Sequence, residues 1–519
     1  MTINNANLII SVRPGETRVA LVEQQQLAEL IAEKTSERSI VGNIYKGKVL
    51  RVLPGMQAAF VDIGIGRAAF LYAGDVLTNT GYQNNDQGKK KKKSGSEIEP
   101  IIVDDFDLPR QMSKIPIAKS LQAGQEVLVQ VAKEPLGTKG ARVTMHLSLP
   151  GRYLVFLPQY NRIAISKKIN SDEERQRLLG LIASLELKST GLIIRTAAQN
   201  ADASHFIKDL DFLQRTWKKI ELKLERAKAP SLLHQDLILA EKTTRDLYSD
   251  QISRILVDDA ILFRRLKGFL RATIPGASSK IELYESKDLA LFDFFGLETE
   301  IERAMSRRVD LPSGGYLIFD QTEALTCIDV NTGRFVGKKN AEDTIFKTNL
   351  EAIKKIVSQV RLRNLGGIII ADLIDMEKSE HRERIQQALT EELKQDRSRV
   401  TTFEINALGL IQMTRKRTRE SLEGHYMEDC PMCEGRGAIK TTSSLAHDVL
   451  KEIERYAFQT KEFRIMVKAR NDIIDWILEE ESVWLEQLMH NYGLQIEFST
   501  NLFTLELAQE RFYEVFSAI

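Results

Sequence analysis

Cysteine is scarce, with three in 519 residues; that is too few for a disulfide framework, so each thiol reads as free or metal-binding. Long apolar runs are missing too. Stretches such as Gly367 to Ile370 fall far short of the roughly 20 residues that a membrane-spanning helix needs. The first residues, Met1 to Asn5, lack a basic segment followed by an apolar one, which sets aside a secretory signal and makes a reducing cytoplasm the expected location. Charge of one sign is absent as well: 73 Lys and Arg stand against 72 Asp and Glu, a net charge of +1. Any grip on nucleic acid must therefore come from local basic surfaces. What is present is 43% hydrophobic and 28% charged residues, which excludes disorder and collagen, over a length that exceeds a single core and predicts three or more domains.

Short β-like runs open the chain, Asn7 to Val12 and Thr17 to Val22, around the turn composition Arg13-Pro14-Gly15-Glu16. From Gly42 to Gly64 and Ala68 to Leu71, strands broken by glycine and proline have the grammar of a small barrel. Residues 77 to 117, with five lysines from Lys89 to Lys93 and then a run of acids, read as a long mobile insertion. Strand patterns resume at Glu126 to Ala132 and Arg142 to Leu147, where the barrel would close. A strand from Tyr153 to Leu157 follows, then a helix opened by Ser171 with acids in its first turn, and a strand ending at Arg195-Thr196. Helical periodicity dominates from about 202 to 275. Two apolar runs, Tyr316 to Phe319 and Ala324 to Ile328, a helix from about Ala341 to Arg363, a third run from Gly366, and a helix from about Ser379 to Lys394 imply a βαβ unit with parallel strands. The last 80 residues are mixed α/β.

Asp329 and Asp372 each end an apolar run, and the helix between them would return the second strand parallel to the first, so both carboxylates fall at one sheet edge. Strand carboxyl ends are where open α/β sheets bind ligands. Two acids there, with Asn331 two residues beyond the first, make a candidate seat for Mg²⁺, which takes one or two carboxylates and keeps waters and phosphate oxygens. Spacing alone favours the plainer reading, that these acids cap the following helices. For Asp320 and Asp375 that reading is stronger.

Cys430-Pro-Met-Cys433 with the following glycines is half a zinc knuckle, and structural zinc takes four ligands. Cys327 lies inside an apolar run and reads as a core residue. Two chains each giving Cys430 and Cys433 would complete a tetrahedron, with His425 as the intrachain fallback; the intersubunit clamp is preferred. A redox CxxC is the competing chemistry, and no thioredoxin-like context is evident. Phe60 and Phe70, on adjacent expected strands with Tyr45, Lys46, Lys133 and Lys139 in the same module, describe a single-strand platform, although residue type alone favours burial of both rings. Arg195-Thr196 suits a terminal phosphate. Arg415 to Arg419 is a dense basic patch that also reads as one solvated helix face.

Several blocks in order carry a resemblance: GNIYKGK from Gly42, PGMQAAFVDIG from Pro54, LGTKGAR from Leu136, IRTAA from Ile194, PSGGYLI from Pro312, IDVNTG from Ile328, LRNLGGIII from Leu362, MTRKRTRES from Met413 and the CPxCxGxG segment. The sequence resembles the ribonuclease E/G family. That resemblance implies a Mg²⁺-dependent endoribonuclease, specific for single strands and preferring a 5′-monophosphate, acting in rRNA processing and mRNA decay. It implies Asp329 and Asp372 as metal ligands with Asn331 orienting water or an aspartate. Phe60, Phe70 and Lys139 would bind RNA on an OB-fold, Arg195, Thr196 and Arg399 would hold the 5′-phosphate, and Cys430 and Cys433 would share zinc between two protomers of a dimer or tetramer. The implied fold is α+β and α/β multidomain: RNase H-like residues 1–37 and 221–303, an OB-fold barrel at 38–150, a 5′-sensor at 151–220, a DNase I-like catalytic domain at 304–424, a zinc link at 425–440 and a small α/β domain at 441–519.

Three departures limit the comparison. Residues 83 to 99 have no familiar counterpart, Ala371 stands where a β-branched residue is common, and an Arg/Pro-rich scaffold tail is missing, so neither membrane attachment nor degradosome assembly is expected. The competing readings are a non-catalytic RNA-binding regulator of translation or ribosome assembly, and a DNA nuclease.

Overall fold

A computed structural model describes residues 6–77, 101–103, 115–135, 140–185, 190–286, 288–333, 341–406, 408–417, 419–460, 462–500 and 512–517. The chain forms two compact units, Met1–His425 and Tyr426–Ile519. Among the described residues no helix is long and apolar enough to cross a membrane.

Among the described residues the first unit holds four sheets. One has the strand order Ile281–Leu283, Ile252–Val257, Ala6–Arg13, Glu16–Glu23, Gln26–Lys34. Its last three strands form an antiparallel meander, and the strand at 252–257 pairs parallel with Ala6 to Ile10. The Pro14-Gly15 turn closes because Gly15 takes a φ of +94°, open to glycine without a Cβ penalty. Two strands were hidden in the segment expected to be helical, Ile252–Val257 and Ser231–His234. The first interleaves exposed Ser253 and Arg254 with buried Ile252, Ile255 and Leu256, a pattern too short to separate from a helical turn.

The second sheet is a closed five-stranded barrel. Ile44–Leu53 pairs with Ala58–Asp62, which pairs with Ala69–Tyr72, then Arg142–Thr144, then Glu126–Lys133, which returns to Ile44–Leu53. Strand alternation sends Val49, Ala59, Val61, Ala69, Leu71, Val129 and Val131 inward. Each such Val or Leu side chain contributes about 1.5–3 kcal/mol when fully buried, and the alanines less. Tyr45 belongs to this core as well, which removes it from the expected surface platform.

A third sheet, ordered Leu149–Pro150, Leu154–Leu157, Gly191–Ile194, Ile163–Ser166, Ile101–Val103, corrects the reading of 77–117 as one mobile insertion. Residues 101–103 are a strand paired parallel with Ile163–Ser166, and Ile117–Ser120 is a short helix. The lysine run at 89–93 lies outside the described residues. The helix Asp172–Ala183 starts as expected, with the Ser171 side chain accepting from the Glu174 N–H, which satisfies a donor the first helical turn leaves free.

The fourth sheet has the order Arg308–Asp310, Tyr316–Gln321, Leu325–Asn331, Gly367–Asp372, Leu410–Arg415, Val400–Thr402. The helix Ala341–Leu362 links the parallel pair Leu325–Asn331 and Gly367–Asp372, which is the predicted βαβ unit. Ile353, Ile356 and Val357 of that helix, with Ile385 and Leu389 of the helix Ser379–Leu393, pack on Leu317, Phe319, Ile328, Val330, Ile369 and Ala371. One face of the sheet is thereby covered, and the alternate residues form the other face. Arg415 is not on a solvated helix face. It ends a strand, buried, with its guanidinium on Asp396 at 2.7 Å and on the Leu365 carbonyl at 2.9 Å.

In the second unit the sheet Gln495–Ser499, Arg464–Ala469, Tyr513–Ser517 packs with helices Thr442–Thr460, Asn471–Glu479 and Ser482–Tyr492.

Candidate active site

Asp329 and Asp372 are direct register partners on neighbouring parallel strands, so their backbones are about 4.8 Å apart and their side chains leave the same face. That face is the uncovered one: both carboxylates are exposed, while Ile328, Val330, Ile369 and Ala371 alternate inward. Asn331, two residues along on the same face, donates its Nδ2 hydrogen to Asp329 Oδ2 at 2.8 Å. Neither acid caps a helix: Asp329 lies within the strand that runs on to Asn331, and Asp372 ends its strand, so the capping reading fails. Ala371 is fully buried, so its small side chain serves packing and leaves Asp372 in place.

The backbone around the pair is fixed from behind. Buried Asn349, on the crossover helix, donates to the Ile374 carbonyl at 2.8 Å and accepts from its N–H at 3.1 Å, clamping the chain just past Asp372. Glu351 accepts from the Ser313 N–H at 2.9 Å. Gly315 has no room for a Cβ, which would stand 2.6 Å from the Asn331 carbonyl oxygen; the PSGG turn is therefore packed directly on the strand that carries Asn331. Asn349 and Glu351 were missed in the sequence, since a polar residue on a helix gives no sign of its partner.

Two neighbouring expectations change. Cys327 is exposed, not a core residue, and shares the face of Asp329, with Ile370 as its register partner. Asp320 is tied to Arg307, which donates to its two oxygens at 2.5 and 2.8 Å. Asp375 is exposed, three residues past Asp372.

On the barrel, Phe60 and Phe70 are register partners with ring centroids 5.4 Å apart, edge to face. Both are half-buried and absent from the barrel core, which takes Ala59, Val61, Ala69 and Leu71 instead. The expectation of buried rings fails. Tyr72, exposed, packs 4.6 Å from Phe70, and the Arg142 guanidinium lies 4.7 Å over its ring. The register continues as one row across the barrel, Arg51 beside Phe60, then Phe70, Arg142 and Lys133. Tyr72, Arg51 and Arg142 were not singled out in the sequence, although their alternation with buried neighbours carried the signal. Lys46 is engaged by Glu126 and the Ala227 carbonyl. Lys139 lies outside the described residues.

Arg195 is buried. It donates to the Gly151 carbonyl at 2.5 Å and to Asp246 Oδ1 at 3.0 Å, while Thr196 and Ser166 hydroxyls share a hydrogen bond of 3.0 Å. Burial alone would raise the Asp246 carboxyl, but Arg245 and Arg195 overcome it and hold it at about 2. Asp209, fully buried, accepts from the N–H groups of Arg152, Tyr153 and Leu154; burial pushes its carboxyl up against those bonds. Arg397 donates to the Asp246 and Leu247 carbonyls. Arg399, two residues on, is exposed.

Cys430 is exposed and Cys433 half-buried. The N–H groups of Cys433 and Met432, then the Cys433 thiol, pull the Cys430 thiol down, and the Gly437 N–H donates to Cys433 Sγ at 3.3 Å. Backbone donors aimed at sulfur favour thiolate, the form that binds metal. Among the described residues no group of three or more His, Cys, Asp or Glu stands together to hold a metal ion. His425 faces Glu16 at 3.4 Å.

Comparison with known proteins decides the family. Residues 148–418 match the "Ribonuclease E/G family" and residues 429–511 match "RNase E/G, Thioredoxin-like domain". The chain belongs to the ribonuclease E/G family. This family member is 42% identical over 495 residues to ribonuclease G of Escherichia coli (strain K12), covering 95% of this chain and 96% of that protein. It is 42% identical to ribonuclease G of Haemophilus influenzae, covering 92% of each chain. It is also 36% identical to ribonuclease E of Escherichia coli (strain K12), covering 91% of this chain and 42% of that protein. The thioredoxin-like match overturns the view that no such context surrounds the CxxC. Cys433 nonetheless sits in a turn and Cys430 just before it, and the next helix starts only at Thr442, so neither cysteine opens a helix, the position that activates a redox thiol.

Proposed function

We propose that this chain, a ribonuclease by family, cuts single-stranded RNA internally, hydrolysing the phosphodiester at Asp329 and Asp372 and leaving 5′-phosphate and 3′-hydroxyl ends. The observation that carries this reading is the pair of exposed carboxylates in register on one open sheet face, with Asn331 bonded to the first. Two oxygen donors with open space beside them fit Mg²⁺, which keeps waters and phosphate oxygens in its remaining positions. When bound there, such an ion supplies a nucleophilic water and neutralises developing charge. The chain's own part is orientation. Asn331 fixes one Asp329 oxygen and leaves the other for the ion, and the Asn349 clamp holds Asp372 alongside.

The barrel's row of Arg51, Phe60, Phe70, Arg142 and Lys133 supports a grip on unpaired bases and their phosphates, since bases of any identity stack on aromatic faces. For the 5′-monophosphate we assign Arg195 and Thr196, with Arg399 from the catalytic sheet. Arg195 spends part of its charge on Asp246, so it would act as a fixed donor more than as a free cation. Zinc at Cys430 and Cys433 would link two protomers, in a dimer or a pair of dimers. The domain reading remains RNase H-like residues 1–37 and 221–303, OB-fold 38–150, 5′-sensor 151–220, DNase I-like 304–424, zinc link 425–440 and small domain 441–519. The roles follow as rRNA processing and mRNA decay in the cytoplasm.

The test is cleavage of one A/U-rich RNA with a 5′-monophosphate or a 5′-hydroxyl, in Mg²⁺ or EDTA. Faster Mg²⁺-dependent cutting of the phosphorylated RNA supports both sites. Equal cutting removes the 5′-sensor, and tight binding without cutting in any condition favours the regulator.

A further inference from the structure

The open face of the catalytic sheet carries more than the carboxylates. Register places Arg308 beside Ile318, Ile318 beside Asp329, and Asp329 beside Asp372, all in one row. Arg308 is thus two strands, roughly 10 Å, from Asp329 on the same face. Tyr316 sits one step along, as the register partner of Asn331. The Arg308 guanidinium lies 3.9 Å over the Tyr316 ring, and its Nε donates to Asp310 Oδ1 at 2.9 Å. The guanidinium is therefore held against an aromatic ring and at its Nε by a carboxylate, while the Arg308 side chain is 56% exposed.

We propose that the Tyr316–Arg308 stack is a platform for one nucleobase flanking the scissile phosphate. Unpaired bases stack on guanidinium planes as well as on aromatic rings, and an arginine already held against tyrosine and Asp310 has lost part of the rotamer freedom it would otherwise give up on binding. The fold gives this arrangement little other purpose. An exposed Arg–Asp pair adds about 0–1 kcal/mol to stability, and Tyr316 lies outside the hydrophobic core behind the sheet. The platform would hold the strand on the side of the pair away from Leu410, the register partner of Asp372, and so set which base stands next to the cut. This inference rests on the nuclease reading of Asp329 and Asp372.

The experiment is a cycle of variant and substrate. Wild type, Arg308→Ala, Arg308→Lys and Tyr316→Leu are assayed in Mg²⁺ on a single-stranded RNA cut at one position, and on copies with an abasic ribose at each position around the cut. At one position the abasic copy should lower wild-type kcat/KM about 5- to 150-fold, the range for one stacked base. Arg308→Ala should show a similar loss on the intact RNA and no further loss on that abasic copy. Arg308→Lys, which keeps the charge without the plane, should not restore activity. Losses that multiply at every position, or full rescue by lysine, would overturn the platform alone. A wild type that cuts no RNA would remove the nuclease reading and the platform together.

Discussion

Phe70 is the middle ring of a three-ring strip, touching Phe60 at 5.4 Å and Tyr72 at 4.6 Å. Its removal separates two ideas sharply. If Phe70 were core, Phe70→Ala would cost about 3–5 kcal/mol of stability and would lower the melting temperature with RNA binding reduced only through unfolding. The structure puts Ala69 and Leu71, not Phe70, in the barrel, so the stability cost should be the edge-to-face contacts alone, about 0.5–1.5 kcal/mol each. A base stacked on the ring is worth about 1–3 kcal/mol, so Kd for single-stranded RNA should rise about 5- to 150-fold. Phe60→Ala should do the same, and because the rings touch, the double variant should lose less than the product of the two. Fluorescence anisotropy of a labelled RNA, with Asp329→Asn in the background to prevent cutting, reads the affinity, and a melt on the same samples reads the fold. A lowered melt with unchanged Kd would refute the argument.

Asp329→Asn should abolish Mg²⁺-dependent cleavage while Kd for RNA stays within about twofold, because a single-strand grip comes from stacking and phosphate contacts elsewhere; retained cleavage would contradict the site. With zinc bound, a thiol reagent on the native protein should label one cysteine per chain, exposed Cys327, and after chelation all three, with metal analysis giving one zinc per two chains; slow labelling of Cys327 would restore the buried reading. Asp246→Asn should destabilise the first unit by about 1–2 kcal/mol, less than the roughly 3–5 kcal/mol for removing one partner of a fully buried pair, since Asp246 is 37% exposed and solvent screens it. Because the folded Asp246 carboxyl is held at about 2, its contribution is fully present above the ordinary carboxylate value near 4 and is lost as pH falls through about 2. Wild type and variant melts should therefore converge in that acid range, and a constant gap would count against the ion pair.

Much of the candidate site was legible in residue order. Strand, helix, strand with an acid ending each run is a local pattern, and the right-handed parallel crossover leaves little choice of where those ends meet. Period-two alternation also held information that residue type obscured. Thr326, Ile328 and Val330 point one way, so Cys327, Asp329 and Asn331 must point the other, and the same count puts Phe60, Phe70 and Tyr72 outside the barrel. Reading cysteine and phenylalanine by their average burial gave the wrong face for three residues. The strand at 252–257 was concealed for a different reason. Its place is set by pairing with Ala6–Arg13, about 245 positions away in sequence, a contact that no local window contains.

By itself, then, the order of residues determined the βαβ unit with its two acids on neighbouring strands, the barrel strands and the close spacing of Cys430 and Cys433, because propensity, alternation and turn chemistry act over a few residues. Only tertiary structure decided the rest. Arg195 is buried against Asp246, Asn349 clamps the chain behind Asp372, and Arg308 lies over the Tyr316 ring, because each of these depends on distance in space between groups whose separation along the chain carries no signal.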